Sequence, residues 1–291
     1  MSAIPQMNKP KYTVKMLYFT SDEVNFIDLG KPLNSNVMKK TILIFILLFG
    51  FNGLQAQEYF LPVSTDSEAA KQYYHDALFS AHHADISSYN QSIKKAVNED
   101  PEFFMAHAHF ALGMAGMDQP DLFNEHASKA LSISESRLNP AEKSMPKALL
   151  ILKKDPKGDL SAVMNELEAS YPEVPQVYDI GLFVNYWISK DYKAAVENGK
   201  KLVKLSPKHG GGYNMLGYAH MEAGDMKSAK SAFKKYIKHA RNEANAYDSM
   251  GEYYMNVKDY KNSAKYYQKA TDMGMEDSRE RAEEAKRMMA N

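Results

Sequence analysis

From Ser67 to the C-terminus, apolar residues recur three and four positions apart in short runs, and several runs stop at a Gly-Asp, an Asp-Pro or a proline-bearing turn. That spacing predicts a chain of short amphipathic helices. Around residue 220, Tyr213, Leu216, Gly217 and His220 share one helical face, Gly224-Asp225 interrupts, and Ala229, Phe233 and Tyr236 restart the spacing. The stretch "HGGGYNMLGYAH", His209 to His220, therefore reads as a helix-to-helix turn running into a new helix. An oxyanion or phosphate loop would need companions that the chain lacks. There is no Gly-x-Ser-x-Gly elbow, no Gly-x-Gly-x-x-Gly and no Walker-type Gly-Lys-Ser/Thr.

The helix pairs repeat. Shifted by 34 residues, Tyr213, Leu216 and Gly217 fall on Tyr247, Met250 and Gly251, while Asp225 falls on Asp259 and Phe233 on Tyr267. One step back, Leu182, Tyr186, Asp191 and Ala195 fall on Leu216, His220, Asp225 and Ala229, with Phe183 where the later units carry glycine. A fixed period of this size calls for a repeat architecture before any other fold. Upstream, "SIKKAVNEDPEFFMAHAHFALG" and "GDLSAVMNELEASYP" carry a looser form of the pattern, and "SRLNPAEKSMP", Ser136 to Pro146, interrupts it. Asn139-Pro140 followed by Glu142 reads as the cap and first turn of a new helix, either a plain connection or a functional insertion.

At these positions the sequence resembles the tetratricopeptide repeat family: an aromatic, Leu-Gly, a second aromatic or His, then Ala and a further aromatic. The resemblance implies an all-α, right-handed α-solenoid of about six helix pairs over residues 67–291. A polar closing helix from about Asp277 would cap the last apolar face, as a solenoid requires. It also implies a non-enzymatic protein-interaction module whose first helices line a concave groove for a peptide or helix. Transferred by helical spacing, the groove residues are Ile180, Val184 and Trp187 in the fourth unit, Asn214, Tyr218 and Met221 in the fifth, and Asp248, Glu252 and Met255 in the sixth. The alternative for each is that it faces a neighbouring helix. Asp248 and Glu252 would repel a carboxylate, so the predicted groove is apolar and aromatic, with acid toward its C-terminal end.

A different pattern precedes the repeats. "MKKTILIFILLFGFNGLQAQ", from Met38, places two lysines, an apolar run and a small residue at Ala56 in the order of a secretory signal. The run is shorter than the ~20 residues that a spanning helix needs. This predicts export to the periplasm or beyond and cleavage after residue 56. Residues 57–66 would form a linker, and no stable membrane anchor would remain. Residues 1–37 then read as an extension from an upstream start; in the rival reading they are genuine and the apolar run is retained as a short anchor.

Composition narrows the chemistry. Lys+Arg and Asp+Glu are 36 each, so the chain lacks the basic excess of a phosphate-tracking nucleic-acid binder. Cysteine is absent, which excludes disulfides, thiolate chemistry and a lipidated N-terminal cysteine. No motif predicts a catalytic residue or a cofactor. The second reading of function is a metal-binding protein or metal-dependent enzyme built on the N-terminal histidines His75, His82, His83, His107, His109 and His126. His75 and His82 can share a helix face, but there is no His-Glu-x-x-His, and His107 and His109 point to different sides of one helix.

Overall fold

The computed structural model describes residues 15–19, 24–28, 59–83 and 85–290. Lys15–Phe19 (β1) and Val24–Asp28 (β2) pair antiparallel, with Lys15 opposite Asp28 and Phe19 opposite Val24. They belong to a separate unit, Met1–Gln57. The sequence shows no period there because strands of five residues are too short to establish one. The signal-like segment lies outside the described residues. Among those described, no helix is long and apolar enough to cross a membrane.

The second unit, Glu58–Asn291, is built from helix pairs. They are α1 (Glu68–His82) with α2 (Ile86–Glu99), α3 (Phe104–Gly116) with α4 (Pro120–Ser132), and α5 (Met145–Lys154) with α6 (Ser161–Ser170). Next come α7 (Pro175–Phe183) with α8 (Tyr192–Leu205), α9 (Gly210–Glu222) with α10 (Met226–His239), and α11 (Ala244–Asn256) with α12 (Tyr260–Asp272). A closing helix, α13 (Asp277–Ala290), follows. The fold is the expected all-α solenoid of six pairs and a cap.

Local sequence explains the pairing. Asp85, Asp191, Asp225 and Asp259 each cap a second helix, their side chains accepting the N–H of Ser88, Ala194, Ser228 and Asn262. The residue before three of these caps is left-handed: Gly224 at φ 82°, but Lys190 at 54° and Lys258 at 61°. Only the middle unit uses the residue that adopts this conformation freely. Within the pairs, a Cβ on Gly217 would sit 2.5 Å from the Phe233 ring, and one on Gly251 2.7 Å from Tyr267. Glycine at the Leu-Gly position therefore lets the aromatic of the second helix lie flush against the first.

A repeated bond sets the register of the first helices. Tyr178, Tyr213 and Tyr247 donate to the carbonyls of Pro172, Pro207 and Arg241, six residues back in each case. From Tyr213 to Asp225 and from Tyr247 to Asp259 the spacing is 12, whereas from Tyr178 to Asp191 it is 13. The fourth unit takes up its extra residue as a π-helical turn, Val184–Ile188, in which Ser189 N–H donates to the Val184 carbonyl. Under a uniform 34-residue shift Phe183 falls where a glycine is expected; counted from Tyr178 that position is Leu182, so the fourth unit lacks this glycine in either register.

At the C-terminus, α13 buries Ser278, Ala282 and Ala285 against the last pair. Its outer face is mostly charged up to Arg287, which covers the last pair with a polar surface, while Met288 and Met289 at its end are exposed.

Candidate functional site

The stretch read as a linker is packed from Tyr59 onward. Leu61 is 2% exposed and joins the main core. Its N–H donates to Gln176 Oε1 at 2.7 Å, and the Gln176 N–H donates to the Tyr59 carbonyl at 3.1 Å. Asn139 Nδ2 donates to the Pro62 carbonyl, Ser64 N–H donates to Glu142 Oε1, and the Thr65 hydroxyl donates to Asp100. Phe60 stacks on His75 with ring centroids 3.9 Å apart. Residues 59–65 thus form a strap, its backbone read by side chains from distant units. The Asn139–Glu142 insertion is one of its anchors, besides capping its own turn through Asn139 Oδ1 and the Ala141 and Glu142 N–H groups.

Beside the strap, α1, α2, α3, α7 and α9 enclose a cavity of about 290 Å³. Its walls are apolar, among them Leu112, Ile180, Phe183 and Met215. Ile86, Met117 and Trp187 also line it and are exposed, Trp187 by 41%, so they form its rim. Gly211 shapes one side: a Cβ there would lie 2.5 Å from the His82 carbonyl oxygen, so α9 begins hard against the end of α1. The opening glycines of the "HGGG" stretch are accordingly structural, with His209 Nδ1 capping α9 by accepting the Gly212 N–H. A broader trough of about 580 Å³ between α4 and α5 is edged by Lys143, Lys147 and Lys154.

Polar groups are concentrated at the 290 Å³ cavity. Asp179 on α7 accepts from His82 Nε2 at 2.7 Å through Oδ2. Burial pushes its carboxyl up, but the charge and hydrogen bond of His82 outweigh that and hold it below the ordinary carboxylate range. His109 on α3 is lowered to about 4, chiefly by burial. His209, whose ring lies 4.2 Å from that of His82, is lowered to about 3 by burial and then by His82. Asn214 on α9 is 9% exposed, and its Oδ1 has no hydrogen-bond partner among the described residues.

The predicted groove set divides. Trp187 is exposed, and Tyr218, Glu252 and Met255 are half-buried, with the Tyr218 hydroxyl donating to Glu252 at 2.7 Å. Val184 is fully buried, and Ile180 and Met221 are nearly so. Asp248 is buried as the anchor of the cap helix, accepting from Ser278 at 2.6 Å and pairing with Arg281. Val184, Met221 and Asp248 are therefore packing residues, the alternative left open for each, and Ile180 lies in the wall of the cavity. In the fourth unit the cause is the extra residue, because one position is a rotation of ~100° about a helix. Counted from the Pro172–Tyr178 and Pro207–Tyr213 pairs, Asp179, not Ile180, corresponds to Asn214. The six-residue Pro-to-Tyr spacing was the signal that could have found Asp179.

The N-terminal histidines are dispersed. His75 stacks on Phe60, His109 meets the Tyr74 hydroxyl at 3.2 Å, and His107 and His126 face each other Nδ1 to Nδ1 at 3.1 Å. Among the described residues, no three His, Asp or Glu side chains converge in a geometry that could hold a metal ion.

The tetratricopeptide repeat family matches residues 211–242 and 244–273. Comparison with curated proteins finds no match. Among solved structures, the chain is similar to PilW, described as a widely conserved type IV pilus biogenesis factor, at 17% identity and TM-score 0.43, covering 69% of this chain and 92% of that one. A thermophilic TPR protein of Thermus thermophilus matches at 13% identity and TM-score 0.46, covering 75% and 98%. MamA matches at 16% identity and TM-score 0.36, covering 70% and 96%.

Proposed function

We propose that this chain, which belongs among the tetratricopeptide-repeat proteins, is a protein-interaction module that engages its partner at the mouth of the α1–α3–α7–α9 cavity. The observation that carries this reading is the apolar rim: Ile86, Met117 and Trp187 stand exposed around one opening. Contiguous exposed apolar surface is uncommon on a protein with no partner. Tryptophan is also the side chain most enriched among residues that dominate binding energy. Tyr218, Glu252 and Met255 would extend the contact along the inner helices of the last two units. On the sequence reading the module acts outside the cytoplasm. N-terminal sequencing of the exported protein tests this, and a mature chain retaining Met1 to Val37 would refute it.

Trp187 separates binding from folding. Its ring contacts Tyr186 edge-on at 4.9 Å and lies under the Lys190 ammonium at 5.3 Å, but it is not enclosed. Trp187→Ala should cost well under the ~3–5 kcal/mol of a buried aromatic truncation. As a rim anchor it should cost ~2 kcal/mol of binding, roughly a 25-fold loss of affinity. Partner capture from envelope extract, followed by titration of parent and variant, measures this. A variant that melts like the parent and binds with unchanged affinity would refute the rim as the contact surface.

A further inference from the structure

The cavity floor holds more hydrogen-bonding capacity than the protein uses. Asp179 accepts from His82 through Oδ2, and no described residue bonds its Oδ1. Asn214 makes no side-chain hydrogen bond among the described residues, and its Oδ1 is buried without a partner. A buried polar group left unmatched is costly, so such groups in a native fold call for an explanation.

The strap network fixes what His109 presents. The Leu61 N–H donates to Gln176 Oε1, so the Gln176 amide nitrogen is the end that reaches the Tyr74 hydroxyl, at 2.8 Å. Tyr74 accepts there, and among the described residues the acceptor within reach of its own hydrogen is His109 Nδ1, 3.2 Å away. His109 is held neutral by burial. Its one ring proton is therefore on Nε2, for which no described residue is an acceptor. The floor thus offers one acceptor at Asp179, one donor at His109, and at Asn214 an amide that can turn either end inward.

We infer that this cavity is a binding site for a small neutral molecule, with an apolar or aromatic body and a head that both donates and accepts a hydrogen bond, such as a primary carboxamide or an alcohol. The head would donate to Asp179 Oδ1 and accept from His109 Nε2–H. The body would lie against Leu112, Ile180, Phe183 and Met215. A volume of about 290 Å³ is at the small end of ligand pockets, which suits a molecule of single-ring size. A carboxylate head is disfavoured because it would meet the Asp179 anion. An ammonium head has nothing to offer the His109 donor. The site needs no protein partner, so its failure would leave the interaction reading standing.

Trp187 is the only tryptophan and lines the cavity, so its emission reports occupancy directly. The full chain would be titrated with 3-phenylpropanamide, 3-phenylpropanoate and 3-phenylpropylamine, which share one body and differ in the head. The expected result is a saturable shift with the amide, and binding at least tenfold weaker for both charged analogues. Asp179→Asn should weaken the amide and narrow its advantage over the carboxylate. Asn214→Leu, which removes the unpartnered group and narrows the cavity, should melt no lower than the parent while losing the amide. No saturable amide binding overturns the proposal. So does equal or tighter binding of either charged analogue. If Asp179→Asn proves unstable, the Asn214→Leu comparison decides: unchanged amide affinity in that variant overturns the site.

Discussion

Acidification from pH 6.5 to 4 is expected to strip this protein of most of its stability, although its charges balance near neutrality. The cause is a set of histidines buried in the neutral form. His109 and His126 are lowered to about 4 and His209 to about 3, burial being the largest cause for each. Proximity to His82 adds to the effect at His109 and His209, and proximity to His107 adds to it at His126. Each unfolded histidine titrates near 6.5, so between that value and the folded one the unfolded chain binds more protons, and stability falls as pH falls. Asp179 adds its loss only below this window: its folded value is depressed, so its contribution is intact above the ordinary aspartate value of ~3.9 and is lost as pH falls further. Glu142, raised by burial, opposes them. At ~1.4 kcal/mol per unit, His109 and His209 each account for on the order of 2–3 kcal/mol, and His126, nearer the surface and better screened, for less, against a typical total of ~5–15 kcal/mol. Thermal melts followed by circular dichroism should be flat from pH 7.5 to 6.5 and fall steeply below. A melting temperature unchanged down to pH 4 would contradict the buried neutral state of these rings.

Leu61→Ala is the second large effect expected. The residue is buried at 2% exposure, and truncating a buried leucine costs ~2–5 kcal/mol. Here the strap can let go instead of leaving a hole, so the loss is capped by the strap's own docking energy, about 2–3 kcal/mol on the scale of one buried side chain and a few hydrogen bonds. That corresponds to a fall of roughly 5–10 °C in melting temperature for a domain of this size. Release would strand the Gln176 amide, buried between Leu61 and Tyr74. Limited proteolysis should therefore cut the variant between residues 59 and 66 while sparing the parent. Equal cutting of both, with equal melting, would mean the strap contributes nothing.

The helix pairs were legible because each carries its own punctuation. Asp225 and Asp259 cap second helices, and Gly217 and Gly251 sit under the aromatics one helix on. The strap was not legible: "YFLPVST" has no period, and its burial depends on Asn139, Glu142 and Gln176, which local spacing cannot connect to it. The cavity was missed for a smaller reason. A uniform shift of 34 ignores the residue absorbed by the π turn, and so selects Ile180 on the wall in place of Asp179 on the floor.

In an open array of repeats, each unit touches only its neighbours, and the ends can melt before the middle. This chain departs from that scheme: α1 touches α9, α3 touches the π turn of the fourth unit, and the strap ties the first, third and fourth units together. Losing the first pair would therefore expose surfaces on the fourth and fifth as well. Units one to five are thereby coupled across the array, and the His83–Glu243 pair at 3.2 Å carries the first unit's reach to the start of the sixth, so an end of this array does not open without breaking contacts made far along the chain.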